Sequence, residues 1–279
     1  MESKIIIERI HEAKEEELDK IIEEEINRIN QNTPKVEQLG FISILNNINI
    51  HKGFIPLNTK IKYENFAVET YSMKTTDFFY EYARFVRKYG IKTKSSVIYT
   101  LEFFINKYFG YVDPKTPRWW VLQSKAEQAE NDDDYFEILD NCEIGDMKGK
   151  NCALCTERSA IVQQILSFLG FETYYCIGCV SHNENEEAHC FNIVKRKNDY
   201  ALLDYSLPVK KYKEDETFEG YYPFSVALTN EEFLEFTETG NIKSFDEYKI
   251  VGDNKIPLMK ERSYVVGKFS IKEIDNIYK

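Results

Sequence analysis

Cys155-Thr-Glu-Arg-Ser-Ala-Ile-Val-Gln-Gln-Ile-Leu-Ser-Phe-Leu-Gly170, followed by the apolar runs Phe171–Val180, Ala188–Lys195 and Tyr200–Tyr205, decides how this chain is read. Ile161, Ile165, Phe168 and Leu169 recur at helical spacing, and Gly170 supplies the stop. Thr156 to Leu169 therefore reads as a helix with Cys155 at its start. The three runs after it read as strands. His182–Glu187 reads as a polar loop between the first two, and Arg196–Asp199 as the turn between the last two. That turn is even in length, so side chains of opposite parity across the hairpin share a face. His189 and Asp204 have opposite parity and are expected side by side.

This triplet has the chemistry of a nucleophilic site. A thiol needs a base to become a thiolate, and the base needs a carboxylate or amide to orient it. The first turn of a helix carries partial positive charge, which lowers a thiol pKa. Lys148, Lys150 and Arg158 lie near Cys155 in sequence and add to that field. Cys155, His189 and Asp204 are thus the expected catalytic residues. A second pattern competes for the same cysteine. Cys152 and Cys155, then Cys176 and Cys179, have the spacing of a four-cysteine zinc site. Against it, side chains three apart on a strand point to opposite faces, unless Gly178 marks a bulge. Cys142 and Cys190 read as small buried hydrophobes. His11, His51 and His182 have no such context and read as surface residues.

The segment Gly149-Lys-Asn-Cys-Ala-Leu-Cys155-Thr-Glu-Arg-Ser-Ala160, with Leu169-Gly170, resembles the nucleophile helix of the transglutaminase-like branch of papain-like cysteine enzymes. Cys155, Glu157, Ser159 and Leu169-Gly170 match its pattern. Ala188-His189-Cys190-Phe191-Asn192-Ile193-Val194 resembles the family's histidine strand, and Leu202-Leu203-Asp204 its closing strand. Cys190, Phe191 and Tyr205 depart from it. The resemblance covers about sixty residues. It implies an α+β fold: a papain-like core with the nucleophile helix packed on an antiparallel sheet, and extra N-terminal helices. It also implies acyl transfer or hydrolysis on a protein, peptide or small amide through a Cys-His-Asp triad, with no cofactor. Some members use an upstream tryptophan to hold the oxyanion, which makes Trp119 and Trp120 candidates. The alternatives are a zinc-stabilised binding module on the four cysteines and a catalytically degenerate interaction domain.

Outward from this core, residues 4–30 read as an amphipathic helix with Leu18, Ile21, Ile22, Ile26 and Ile29 on one face, closed by Pro34. Residues 36–62 read as short strands and turns. Two helices follow. Thr76 or Asp77 caps the first, whose stripe is Phe78, Tyr82, Phe85, Val86 and Tyr89. Ser95 or Ser96 caps the second. Residues 111–150 form a long connection with an acidic run at Asp132–Asp134. In the tail, Thr229-Asn230-Glu231-Glu232 is a capping box opening a short helix, and the rest reads as turns and short strands. The expected organisation is a helical region, 1–110, wrapping a catalytic core with a C-terminal extension, 111–279, or the two as one continuous domain.

Composition narrows the partners. Lys and Arg total 36 against 47 Asp and Glu, a net charge of −11. Phosphate backbones and anionic membranes call for the opposite balance, so neither nucleic acid nor a membrane is expected. The chain has no apolar run near the roughly 20 residues that span a bilayer. Met1–Glu17 lacks the pattern of a secretory signal, so a cytoplasmic location is expected. Six cysteines are too sparse for a disulfide scaffold.

Overall fold

The computed structural model describes residues 3–33, 41–42, 50–57, 59–62, 70–111, 131, 143–182 and 185–266. Helices α1 (Ser3–Glu12), α2 (Glu15–Asn32), α3 (Asp77–Lys88) and α4 (Lys94–Phe109) precede the central helix α5 (Cys155–Phe168). A small sheet of β1 (Phe41–Ile42), β3 (Lys60–Lys62) and β4 (Thr70–Ser72) lies among them in sequence. The remaining strands are β2 (Ile50–Lys52), β5 (Thr173–His182), β6 (Asn185–Lys195), β7 (Tyr200–Tyr212), β8 (Phe218–Leu228), β9 (Asn241–Val251) and β10 (Asn254–Val266), with α6 (Asn230–Thr239) between β8 and β9.

Five of these strands close on themselves in the order β10, β9, β7, β6, β5 and back to β10, with β2 and β8 as two extra strands. This corrects the expected papain-like core of a nucleophile helix packed on an antiparallel sheet. Closure comes from the tail. Residues expected as turns and short strands form β9 and β10, and β10 pairs β5 from Arg262↔His182 to Val266↔Gly178. Gly178 permits that approach, because a Cβ there would sit 1.9 Å from the Val265 carbonyl oxygen. An odd number of strands cannot alternate direction all the way round, so one neighbouring pair must run parallel. That pair is β7 and β9, at Lys211↔Ile250 and Tyr212↔Val251. β7 reaches it by turning a corner. It pairs β6 over Tyr200–Leu203, and its ladder with β8 lapses between Asp204 and Val209 before resuming.

Strand alternation splits the apolar residues into two cores. Tyr174, Cys176, Val180, Phe191, Ile193, Leu202, Ile242, Tyr264 and Val266 fill the barrel. Phe233 and Phe236 of α6 join them, and the Phe233 ring stacks on Tyr200 at 3.7 Å between centroids. Tyr175, Ile177, Cys190, Val194, Ala201, Leu203 and Tyr205 face outward and pack with the helices. α5 sits between that face and α1–α4, and so is buried nearly all round. Its polar residues are absorbed by hydrogen bonds: Gln164 pairs both ways with the Ile55 backbone, and Gln163 reaches Gly53 O at 2.6 Å. The helix-side core runs from Ile6 to Tyr205, across the boundary expected at 110. Each large side chain in it stabilises the fold by about 1.5–3 kcal/mol.

Local signals fared unevenly. Leu18, Ile22 and Ile26 of α2 are buried as their spacing requires. Tyr89 is not part of the buried stripe: it is the C-cap of α3 and 58% exposed. Thr93, not Ser95 or Ser96, caps α4, accepting from Ser96 N at 3.1 Å. The capping box at Thr229 and Glu232 forms with both bonds present.

Candidate active site

Cys155 is the first residue of α5. The Leu154 N–H donates to Glu157 Oε2 at 2.8 Å, so the carboxylate three residues on ties the helix start. Arg158 anchors the approach to it. Its Nε donates to Ala153 O at 2.9 Å and its Nη1 to Asn106 Oδ1 at 2.7 Å. The end of α4 holds the preceding segment: Gly149 N–H and Asn151 N–H donate to the Tyr108 and Phe109 carbonyls. Gly110 is needed there, since φ is +80° and a Cβ would meet Asn151 Oδ1 at 1.7 Å. These contacts leave Cys155 half-buried beside an exposed Leu154.

His189 and Asp204 share the inner face of the barrel, one on β6 and one on β7. His189 Nε2 lies 3.0 Å from Asp204 Oδ2. Nδ1 is therefore the nitrogen left free of Asp204, and the ring and the Cys155 sulfur are close enough to shift each other's pKa. Asp204 stands at the corner of β7, and its Oδ1 accepts from Ser206 N at 3.3 Å, Leu207 N at 3.2 Å and Ser206 Oγ at 3.1 Å. The carboxylate thus serves backbone N–H groups in the stretch where the β8 ladder lapses. Its Oδ2 also accepts from Tyr264 Oη at 2.6 Å, and Arg262 Nη1 lies 3.6 Å away.

The electrostatics favour charge separation. The Cys190 thiol, on the residue after His189, is the largest influence lowering the Cys155 pKa. Burial opposes it, and His189 and the Cys190 N–H add to it, so the thiol falls well below its ordinary value. Burial together with the neighbouring Cys155 pushes Cys190 the other way, so Cys190 stays a thiol, and its S–H donates to Thr156 Oγ1. Both sulfurs lie near Thr156 Oγ1, at 3.9 and 3.7 Å. Burial works against the His189 imidazolium, but Asp204 and Cys155 outweigh it and raise its pKa to about 10. Burial likewise disfavours the Asp204 carboxylate, and His189, Arg262 and Tyr264 overcome that, holding it below the usual carboxylate range. These shifts favour the row thiolate, imidazolium, carboxylate, guanidinium. Such an arrangement delivers a nucleophile already deprotonated, with a proton waiting beside it.

The other candidates are dispersed. Cys152 lies in the helix-side core and Cys176 inside the barrel. Cys179 shares the outer face with Tyr175 and Ile177. The β5–β6 ladder runs unbroken past Gly178, so no bulge turns Cys176 and Cys179 together. Among the described residues no group of three or more His, Cys, Asp or Glu is placed to hold a metal ion. Trp119, Trp120, Cys142 and Asp132–Asp134 lie outside the described residues. His51 is buried rather than on the surface, with Nε2 3.0 Å from Phe54 O. Sequence reading missed Tyr264 and Arg262, which lie in the tail. A Tyr and an Arg two apart, within an alternating stretch, was the available signal. Among the described residues no helix is long and apolar enough to cross a membrane. Comparison with protein-family models, curated proteins and solved structures found no match.

Proposed function

We propose that this protein is a cysteine-dependent acyl-transfer enzyme acting on an amide or ester of a protein, peptide or small molecule. The observation that carries the reading is His189 held 3.0 Å from Asp204 Oδ2 while its ring and the Cys155 sulfur shift each other's pKa, with Cys155 at a helix start. The Cys155 thiolate attacks the carbonyl carbon, and the C=O π electrons move to oxygen. The Cys155 N–H, in the first turn where no intrahelical carbonyl serves it, stabilises that oxyanion. As the C–N or C–O bond breaks, His189 gives its Nδ1 proton to the leaving group, leaving a thioester on Cys155. Water or an amine then attacks, His189 takes a proton from it, and the thiolate is restored. Asp204 holds the ring and stabilises its charged form.

The motifs around Cys155, His189 and Asp204 that resemble the transglutaminase-like branch support the same chemistry. A reducing cytoplasm suits an enzyme that depends on a free thiolate. The test offers glutamine-containing peptides and simple thiol-reactive esters as acyl donors, with and without a dansylated primary amine. Ammonia or alcohol release without amine incorporation identifies a hydrolase, and incorporation identifies a transamidase. Both should vanish in Cys155→Ala. Activity that survives in Cys155→Ala, or none with any donor, defeats the proposal.

A further inference from the structure

Beside the Asp204 corner the barrel wall has a gap. The β7–β8 ladder lapses between Asp204 and Val209, and the β9–β10 ladder between Pro257 and Glu261. A cavity of about 290 Å³ occupies this region. Its lining includes Lys210, Lys249, Lys260 and Arg262, against a single lining carboxylate, Glu247. In a chain of net charge −11 this is a local reversal of sign.

Arg262 is the unusual member, a charged side chain only 5% exposed. Its Nη1 donates to Leu207 O at 2.8 Å and its Nε to Glu247 Oε1 at 3.2 Å. The guanidinium plane lies over the Phe224 ring at 4.1 Å. Nη2 makes no hydrogen bond among the described residues, so one nitrogen of a rigidly held guanidinium is left for the cavity that Arg262 lines. Lys210 and Lys260, both exposed, form no ion pair among the described residues, whereas Lys249 is 3.7 Å from Glu216. A fixed guanidinium with Nη2 free, flanked by exposed ammonium groups, is a donor set that suits a phosphate-type oxyanion. Partial enclosure also strengthens each charge–charge interaction relative to open solvent.

We propose that this cavity binds a compact multivalent oxyanion of the phosphate class, held by Arg262 Nη2 within and by Lys210 and Lys260 at the rim. The experiment titrates inorganic phosphate, pyrophosphate and malonate into the full-length protein at low ionic strength, by calorimetry and by thermal shift. Phosphate or pyrophosphate should bind and raise the melting temperature. The double variant Lys210→Ala/Lys260→Ala should weaken binding about tenfold. A double variant of lysines outside the cavity, Lys20→Ala/Lys197→Ala, has the same net charge and should bind as the wild type does. Arg262→Lys, which keeps the charge and loses Nη2, should also weaken it. No binding to the wild type, equal weakening in the two lysine double variants, or malonate binding as tightly as pyrophosphate would each overturn the assignment.

Discussion

Replacing His189 with Gln removes the imidazolium that faces the Cys155 sulfur and leaves the helix start and the Cys190 thiol in place. A pair of unit charges about 4 Å apart at an effective dielectric of about 20 interacts by ~4 kcal/mol. That corresponds to about 3 pH units on the thiol. The Cys155 midpoint in His189→Gln should rise by about that amount, and it should rise in Cys190→Ala as well, which loses the thiol that lowers the Cys155 pKa most. Intrinsic nucleophilicity grows as the thiol becomes less acidic, with a Brønsted coefficient near 0.45, so the variant thiolate is roughly 20-fold more reactive once formed. The two profiles must therefore cross. Below both midpoints the variant should be alkylated about 50-fold more slowly than the wild type, and above both it should be faster. The assay is the rate of iodoacetamide modification of Cys155 against pH, followed by intact mass. Superimposable profiles, or profiles displaced vertically with no shift of midpoint, would refute an ion pair between these side chains.

Four further outcomes follow from other contacts. Asp204→Ala should shift the Cys155 midpoint less than His189→Gln does, while destabilising the fold by about 3–5 kcal/mol in urea titrations, because it strands the buried Arg262 and Tyr264 donors. Asp199, which pairs with Arg196 in the turn, should be silent in both assays when changed to Ala. Gly178→Ala should cost at least about 3 kcal/mol or prevent folding, since its methyl would fall against the β10 backbone; a change under about 1 kcal/mol would mean that β5 and β10 are not in contact. Burial pushes Glu102 up to about 7, with Asn106 and Arg158 offsetting part of that effect. The folded protein thus holds a proton that the unfolded chain releases nearer its ordinary value, so stability falls as pH rises through that window, by about 3 kcal/mol in all. Glu102→Gln should flatten that slope and be the more stable protein at about pH 8; parallel curves would refute it.

The site's local placement was legible because it rests on short-range rules. The helix start at Cys155 follows from the apolar spacing up to Gly170, and the meeting of His189 with Asp204 follows from the even turn at Arg196–Asp199. The barrel was not legible, because its closure depends on pairings distant in sequence. β9 and β10 carry Lys, Glu and Asp at their outward positions, so 241–266 looks too polar for long strands. Partners such as Val266 and Gly178 are joined only when the whole sheet curls. The same distance hid Tyr264 and Arg262 from any reading centred on Asp204. β5 also continues to His182 beyond the apolar run, because β10 pairs with its far end.

The central claim is that Cys155 carries an acyl group during turnover. Mixing the protein with p-nitrophenyl acetate, quenching in acid at intervals and measuring intact mass tests it directly. The account predicts an acetyl adduct that maps to Cys155, is released by neutral hydroxylamine as a thioester should be, and accumulates far more slowly in His189→Gln. Ester turnover with no adduct on Cys155, or an adduct that forms equally fast without His189, would contradict it.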